Sequence, residues 1–455
     1  MRQIIVILLV LTSRLAAAAQ TPSNIELSNR VDELAKKLLL KPVAGVSVAV
    51  ARDAEVVFAR GYGMANLEHF VAVTPDTVFH IASVSKNILA AVLLQLVEEG
   101  KLNLDDDVTK YVPEAPTQGR RITVRQLLNH TSGIHSFTSL PEAATNERLD
   151  LTHDQVLALI KNASFDFEPG TAWRYNNTGF YIAGMVVERV TKQEYSAYVR
   201  DHLFKPLQMN SAQLCDARMV VPHLASGYER DHGVLVNAPF MSWKLPSAAG
   251  AVCATAADLL RWQSALDSGR VLNATSLKLM RTPTKLADGT LIDYGLGTRL
   301  GMMEGHTVLG HTGSGGGFAA ALESFPDDHL TVAVLVNSEV GAGPALILAS
   351  TIARFILGVP AENALRDLPV PKEELTSLLG AFNSDEGTVE NFARDGKLYF
   401  RVQPTGAEGL LRRQAENVYG LDENLKIHFL IREGQATWAI VYTGGLMMDA
   451  VRRVP

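Results

Sequence analysis

Three β-prone runs follow one another closely at about 306–312, 318–325 and 330–337, with Pro326-Asp327-Asp328 as a turn between the last two. Two more, Val43 to Ala51 and Val56 to Gly61, flank Arg52-Asp53-Ala54-Glu55 near the start. Connections this short make neighbouring strands antiparallel. The two groups bracket a stretch of roughly 103–300 that mixes helices with many turns. A helix is available at each end to cover the joined sheet. Ile25, Val31, Leu34, Leu38 and Leu39 lie at helical spacing before Pro42, and Pro344 to Leu357 reads as a helix ended by Gly358. The expected class is α+β: an antiparallel sheet flanked by helices, with a helical subdomain.

Two further helices are expected inside the bracket. One runs from Ser83 to Glu99 with Ile88, Leu89, Val92, Leu93 and Leu96 as its apolar stripe and Gly100 as its stop. The other runs from Ala256 to Asp267, with Thr255 as N-cap. A chain of 455 residues, 47% of them hydrophobic, exceeds what one compact domain usually holds. Residues 24–358 are expected to form the main domain. Residues 359–374, with Pro360, Pro369 and Pro371 among several charges, read as a linker. Residues 375–455 change character: Leu398 to Val402, Leu425 to Ile431 and Thr437 to Tyr442 are short β-prone runs separated by Gly, Asn and Asp, as in a small all-β module.

Residues 1–19 read as a secretory signal peptide: Arg2, an apolar run from Ile4 to Leu11, then Ala16 to Ala19. The apolar run is too short for a span of about 20 residues. The expectation is an exported protein, periplasmic or secreted, with no stable membrane span once the leader is cut. A formal net charge of −6 without Lys/Arg blocks argues against nucleic acid as a partner. Cys215 and Cys253 either pair in an oxidising compartment or stay as two buried thiols.

Three short patterns carry chemistry. Ser83-Val84-Ser85-Lys86 is S-x-x-K; a helix starting at Ser83 would put Lys86 on the same face, where it can activate a hydroxyl that is otherwise a weak nucleophile. By itself it also fits an N-cap Ser beside a solvated Lys. Tyr175-Asn176-Asn177 is Y-x-N, placed after a Pro169-Gly170 turn. A phenol beside an ammonium can share proton transfer, and an amide can orient it; a buried Tyr with a turn Asn is the plain alternative. His311-Thr312-Gly313-Ser314 lies at the end of an expected strand, where Gly permits close approach and an edge can hold an extended substrate. Ser314-Gly315-Gly316-Gly317 lacks the GK[ST] of a phosphate loop. No H-E-x-x-H occurs, and His130 with His135 fits loop hydrogen bonding better than a metal; no cofactor and no metal are expected.

The three patterns in this order resemble the penicillin-recognising serine hydrolases, which include class C β-lactamases, D,D-peptidases, D-aminopeptidases and esterase relatives. Leu127-Leu128-Asn129-His130-Thr131-Ser132-Gly133, Thr255-Ala256-Ala257-Asp258-Leu259 and Gly310-His311-Thr312-Gly313 are similar to further stretches of that family, over about residues 28–357. The tail resembles the small β-barrel-like module appended in some members. The resemblance implies that Ser83 attacks a carbonyl to form an acyl-enzyme, that Lys86 and Tyr175 move its proton, and that Asn177 supports Lys86 and the substrate. It implies substrate or oxyanion contacts from His311, Thr312, Gly313 and Ser314, with the N–H groups of Ser83 and Ser314 facing the oxyanion. His311 stands where many members have Lys. A neutral imidazole is a poor partner for a penicillin carboxylate, so an ester or a D-amino-acid-type amide or peptide is the expected small-molecule substrate. A class C-like β-lactamase and a non-catalytic scaffold on the same fold are the alternatives.

Overall fold

The computed structural model describes residues 22–454 apart from 217, 340, 342, 361–364, 385, 386 and 404; the leader expected at 1–19 lies outside them. Helix α1, Asn24–Leu39, begins at a reciprocal cap between Ser23 and Glu26 and buries Leu27, Val31, Ala35 and Leu38 along one stripe. The antiparallel sheet that follows has strands β1 (Gly45–Arg52), β2 (Glu55–Asn66), β3 (Arg299–Met303), β4 (His306–Gly315), β5 (Phe318–Phe325) and β6 (Leu330–Val336), with spatial order β3-β4-β5-β6-β1-β2. The first and last groups of strands therefore join directly, Val48 opposite Val334.

The two faces of β1 differ in size. Val46, Val48 and Val50 join Val332, Val334 and Val336 under α1 and helix α2 (Gly343–Leu357), while Ala49 and Ala51 face the helical side with Ala333 and Leu335. Small residues on that face let helix α3 (Ala256–Asp267), capped by Thr255, approach the sheet. Beyond it, helix α4 (Ser85–Glu98) runs through the centre of the helical half with Ile88, Leu89, Val92, Leu93 and Leu96 fully buried. Burying such side chains contributes roughly 1.5–3 kcal/mol each.

Helix α4 starts at Ser85, not at Ser83. Residues Ala82–Val84 form a separate 3₁₀ turn, and Ser83 caps nothing. Ala82 has φ 44°, a left-handed conformation that an Ala adopts only when its surroundings impose it. Cys215 and Cys253 form a disulfide with Cα atoms 5.8 Å apart, so the open question of their state resolves to pairing. Cys253 lies in the short strand Val252–Ala254, which is hydrogen-bonded to Gln213–Leu214 beside Cys215.

After helix α5 (Lys372–Leu378), which begins inside the stretch read as linker, eight strands follow. They are β7 (Gly380–Ser384), β8 (Gly387–Arg394), β9 (Lys397–Val402), β10 (Ala407–Ala415), β11 (Val418–Gly420), β12 (Leu425–Arg432), β13 (Gln435–Thr443) and β14 (Leu446–Arg453). Each pairs with the next, and Phe382 of β7 pairs with Arg453 of β14, closing a barrel. The barrel is not tethered by a linker alone. Leu446 of β14 pairs with Gly301 of β3, so barrel and main sheet share one hydrogen-bonded series. Among the described residues, no helix is long and apolar enough to cross a membrane.

Candidate active site

The 3₁₀ turn presents Ser83 at the floor of a cleft of about 290 Å³ between the sheet and the helical half. One turn below, Lys86 is 0% exposed. Its Nζ lies 2.9 Å from Ser83 Oγ, 2.7 Å from Asn177 Oδ1 and 3.0 Å from the carbonyl of Ala249. Burial, and after it the charge of Arg299, holds the Lys86 ammonium well below its ordinary value. Among the described residues no carboxylate pairs with it. A buried lysine in contact with a serine hydroxyl is the arrangement a general base needs.

Asn177 is delivered by helix α6, Asn177–Thr191, whose N-cap Asn176 accepts from the N–H of Gly179. Its Nδ2 donates to Thr138 Oγ1, leaving Oδ1 directed at Lys86. The Tyr175 ring lies 4.9 Å from Lys86 Nζ. Ser83, Asn177 and the Tyr175 ring thus surround Lys86 Nζ.

The strand β4 passes close to the nucleophile because residue 313 is glycine. A Cβ there would fall 2.1 Å from the carbonyl oxygen of Ile81 and 2.9 Å from the nitrogen of Ser83. Ser314 lines the cleft, whereas His311 and Thr312 are buried, 1% and 4% exposed. The His311 ring lies 6.3 Å from the Tyr175 ring, centroid to centroid, and both of its nitrogens are hydrogen-bonded. The N–H of Asn176 donates to His130 Nδ1 (3.0 Å), so His130 carries its hydrogen on Nε2 and donates it to Tyr294 Oη (3.0 Å). Tyr294 then donates to His311 Nε2 (3.1 Å), and His311 Nδ1–H donates to the carbonyl of Thr312 (2.6 Å). Every member is neutral: burial, with Arg299 and Lys86 nearby, drives both imidazoles well below their ordinary value, and burial raises the Tyr294 phenol.

Several contributors carry no sequence signal. Tyr294 and Arg299 lie in no short pattern, and Ala249 acts through its backbone. Glu147 and Glu339 also line the cleft, beside Trp243, Met241 and Phe137. Glu339 accepts from Ser314 Oγ (3.1 Å) and from the N–H of Gly317 (3.0 Å). Burial and the facing charge of Glu339 raise the Glu147 carboxyl. Trp243 is fixed by stacking on His80, ring centroids 3.9 Å apart. No Lys or Arg lines the cleft among the described residues. His135 bonds Asp166 at 2.8 Å, a loop contact as expected.

Comparison with known proteins bears on the family and the fold. Residues 31–355 match the family model described as Beta-lactamase. A penicillin-binding protein of Bacillus subtilis (strain 168) is 23% identical over 427 residues, which are 89% of this chain and 94% of that protein. The octameric penicillin-binding protein homologue from Pyrococcus abyssi superimposes with a TM-score of 0.66 at 23% identity, over 95% of this chain and 100% of that one. The D-amino acid amidase from Ochrobactrum anthropi SV3 superimposes with a TM-score of 0.62 at 25% identity, over 73% of this chain and 97% of that one.

Proposed function

This chain belongs to the Beta-lactamase family, and from that premise we propose that it is a serine hydrolase working through an acyl-enzyme on esters or D-amino-acid-type amides. The contact of Lys86 Nζ with Ser83 Oγ, 2.9 Å, carries the reading. Lys86 as free amine takes the Ser83 proton while Oγ bonds to the substrate carbonyl carbon. The oxyanion faces the N–H groups of Ser83 and Ser314. Lys86 and Tyr175 return the proton to the departing oxygen or nitrogen as its bond to the carbonyl breaks. Water, deprotonated by the same pair, then releases the acid and restores Ser83.

The cleft supports an amine-bearing substrate over a carboxylate-bearing one. Its charged lining, Glu147 and Glu339, is anionic, and His311 is neutral and hydrogen-bonded to its own strand. A protonated amine beside an apolar group suits two carboxylates flanked by Trp243 and Phe137. The relation to a D-amino acid amidase favours the same class. The disulfide supports export, since such bonds persist in oxidising compartments. The domain boundaries proposed are those read from sequence, with 375–455 as a β-rich module.

The test is intact-protein mass spectrometry after exposure to a fluorophosphonate and, separately, to a penicillin, followed by a panel of D-amino acid amides with free and acetylated amines. One phosphonate adduct on the peptide bearing Ser83, with faster turnover of free-amine substrates, is expected. Prompt penicillin turnover would instead assign a β-lactamase. No adduct on folded protein would assign a scaffold.

A further inference from the structure

Arg299 is a buried guanidinium, 6% exposed, that makes no ion pair among the described residues. Its Nη1 donates to the carbonyls of Met447 (2.9 Å) and Met448, both in β14 of the barrel, and its Nε has no partner. A charge buried without a counter-ion is costly, and a neutral residue of similar shape is often tolerated as well or better. The position therefore asks what the charge does.

Its Cζ lies 5.4 Å from the centroid of the Tyr175 ring, the ring that Lys86 Nζ approaches at 4.9 Å. The groups around Lys86 are Ser83 from the 3₁₀ turn, Tyr175 and Asn177 from the start of α6, Phe180 from α6, and the neutral His130, Tyr294 and His311 behind them. No carboxylate is among them, and Arg299 is the one permanent cation. Arginine stays protonated at any working pH.

We propose that Arg299, held in place by the last strand of the barrel, is a positioning residue for the Ser83 reaction: its fixed charge keeps Lys86 in the free-amine form that takes the serine proton. The inference rests on the hydrolase reading above. Lys86 and Arg299 are at most about 10 Å apart through the ring, where repulsion inside a protein moves a titration by on the order of one pH unit. The structure supports the same sign, since Arg299 follows burial as a cause of the lowered Lys86 ammonium. The barrel contributes to the chemistry without touching substrate.

The experiment is the rate of Ser83 labelling by a fluorophosphonate from pH 5 to 10 in the full-length protein, with Arg299→Gln, Arg299→Met and Arg299→Lys. The neutral variants are expected to fold, because they remove a buried uncompensated charge. Their acidic limb should move up by on the order of one pH unit, a roughly tenfold loss below the limb with the rate recovered at high pH. Arg299→Lys should keep the limb near its original place. Neutral variants whose limb stays put while the rate falls uniformly would overturn the proposal. So would Arg299→Lys displaced as far as Arg299→Gln, or loss of folded protein in both neutral variants. Wild-type protein that takes no label at any pH would instead defeat the hydrolase reading itself.

Discussion

Tyr294 donates its hydroxyl hydrogen to Nε2 of His311 across 3.1 Å in a site where both side chains are buried. The same oxygen accepts from His130. Tyr294→Phe would leave a buried donor on His130 and a buried acceptor on His311 without partners, at a cost of about 1–3 kcal/mol each. The urea midpoint should fall accordingly with little change in the slope of the transition. An unchanged midpoint would mean that the hydroxyl does not bridge the two rings.

Lys86→Ala removes the base and opens a small buried space. Labelling of Ser83 should drop by about 10²-fold or more. Ser83→Ala should take no adduct and melt within a degree or two of wild type, because Ser83 caps no helix. A Lys86→Ala protein within a few-fold of wild type would take Lys86 out of the proton path.

How much of this was readable beforehand follows from where each signal resides. Ser83 and Lys86 are three residues apart, and Tyr175 and Asn177 two apart, so each pair is a local pattern. The strands at 306–337 are legible because β-prone runs alternate with turn residues, and the structure pairs Gly313 with Ala320 as that order requires. Tyr294 and Arg299 were illegible. Their partners, His130, His311 and the carbonyls of 447 and 448, lie far away in sequence, and a backbone carbonyl has no residue type to recognise. The spacing places the helix start two residues before Ser85, because a 3₁₀ turn has nearly the spacing of a helix. His311, expected as a substrate contact, is buried beside the rings of Tyr175 and Tyr294 and is not among the residues lining the cleft.

Acid should destabilise the protein from pH 6.5 downward. Burial holds His80 down to about 3, and holds His130 and His311 well below the ordinary 6.5. The unfolded chain binds these protons first, so stability is full above 6.5 and is lost as pH falls. Each ring contributes about 1.4 kcal/mol per pH unit in that window, and Glu323, neutral when folded, opposes them with one such increment. His428, also lowered by burial, adds to the rings and His153, raised by Glu188, opposes them; the net is a loss of stability as pH falls below 6.5. Urea midpoints at pH 6.5 and 5.5 measure it; equal midpoints would show that the rings accept protons inside the fold.

Glu323 in β5 is fully buried, accepting from Ser350 Oγ at 2.8 Å, and burial pushes its carboxyl up to about 8. Its contribution is present below the ordinary 4.5 and is lost as pH rises to about 8. Glu323→Gln removes that dependence. Its stability relative to wild type should grow by about 1.4 kcal/mol per pH unit across the window. A difference that does not vary between pH 5 and 8 would show that the carboxyl titrates normally.

The disulfide closes a loop with a sequence separation of 38. Restricting the unfolded chain by such a loop is worth about 4 kcal/mol in the chain-entropy account. Cys215→Ser with Cys253→Ser should lower thermal stability by that order while Ser83 still labels at low temperature. Equal melting of reduced and oxidised wild type would show that the bond adds nothing to the fold.

The pairing of Leu446 with Gly301 has a consequence for engineering. Exchanging tails between relatives at residues 359–374 would look like a clean splice. It would nevertheless lay a foreign final strand against β3, the strand that begins with Arg299, and replace the carbonyls that hold the guanidinium. A workable chimera would carry β3 along with the tail it came from, because strand and tail fit each other as a matched set.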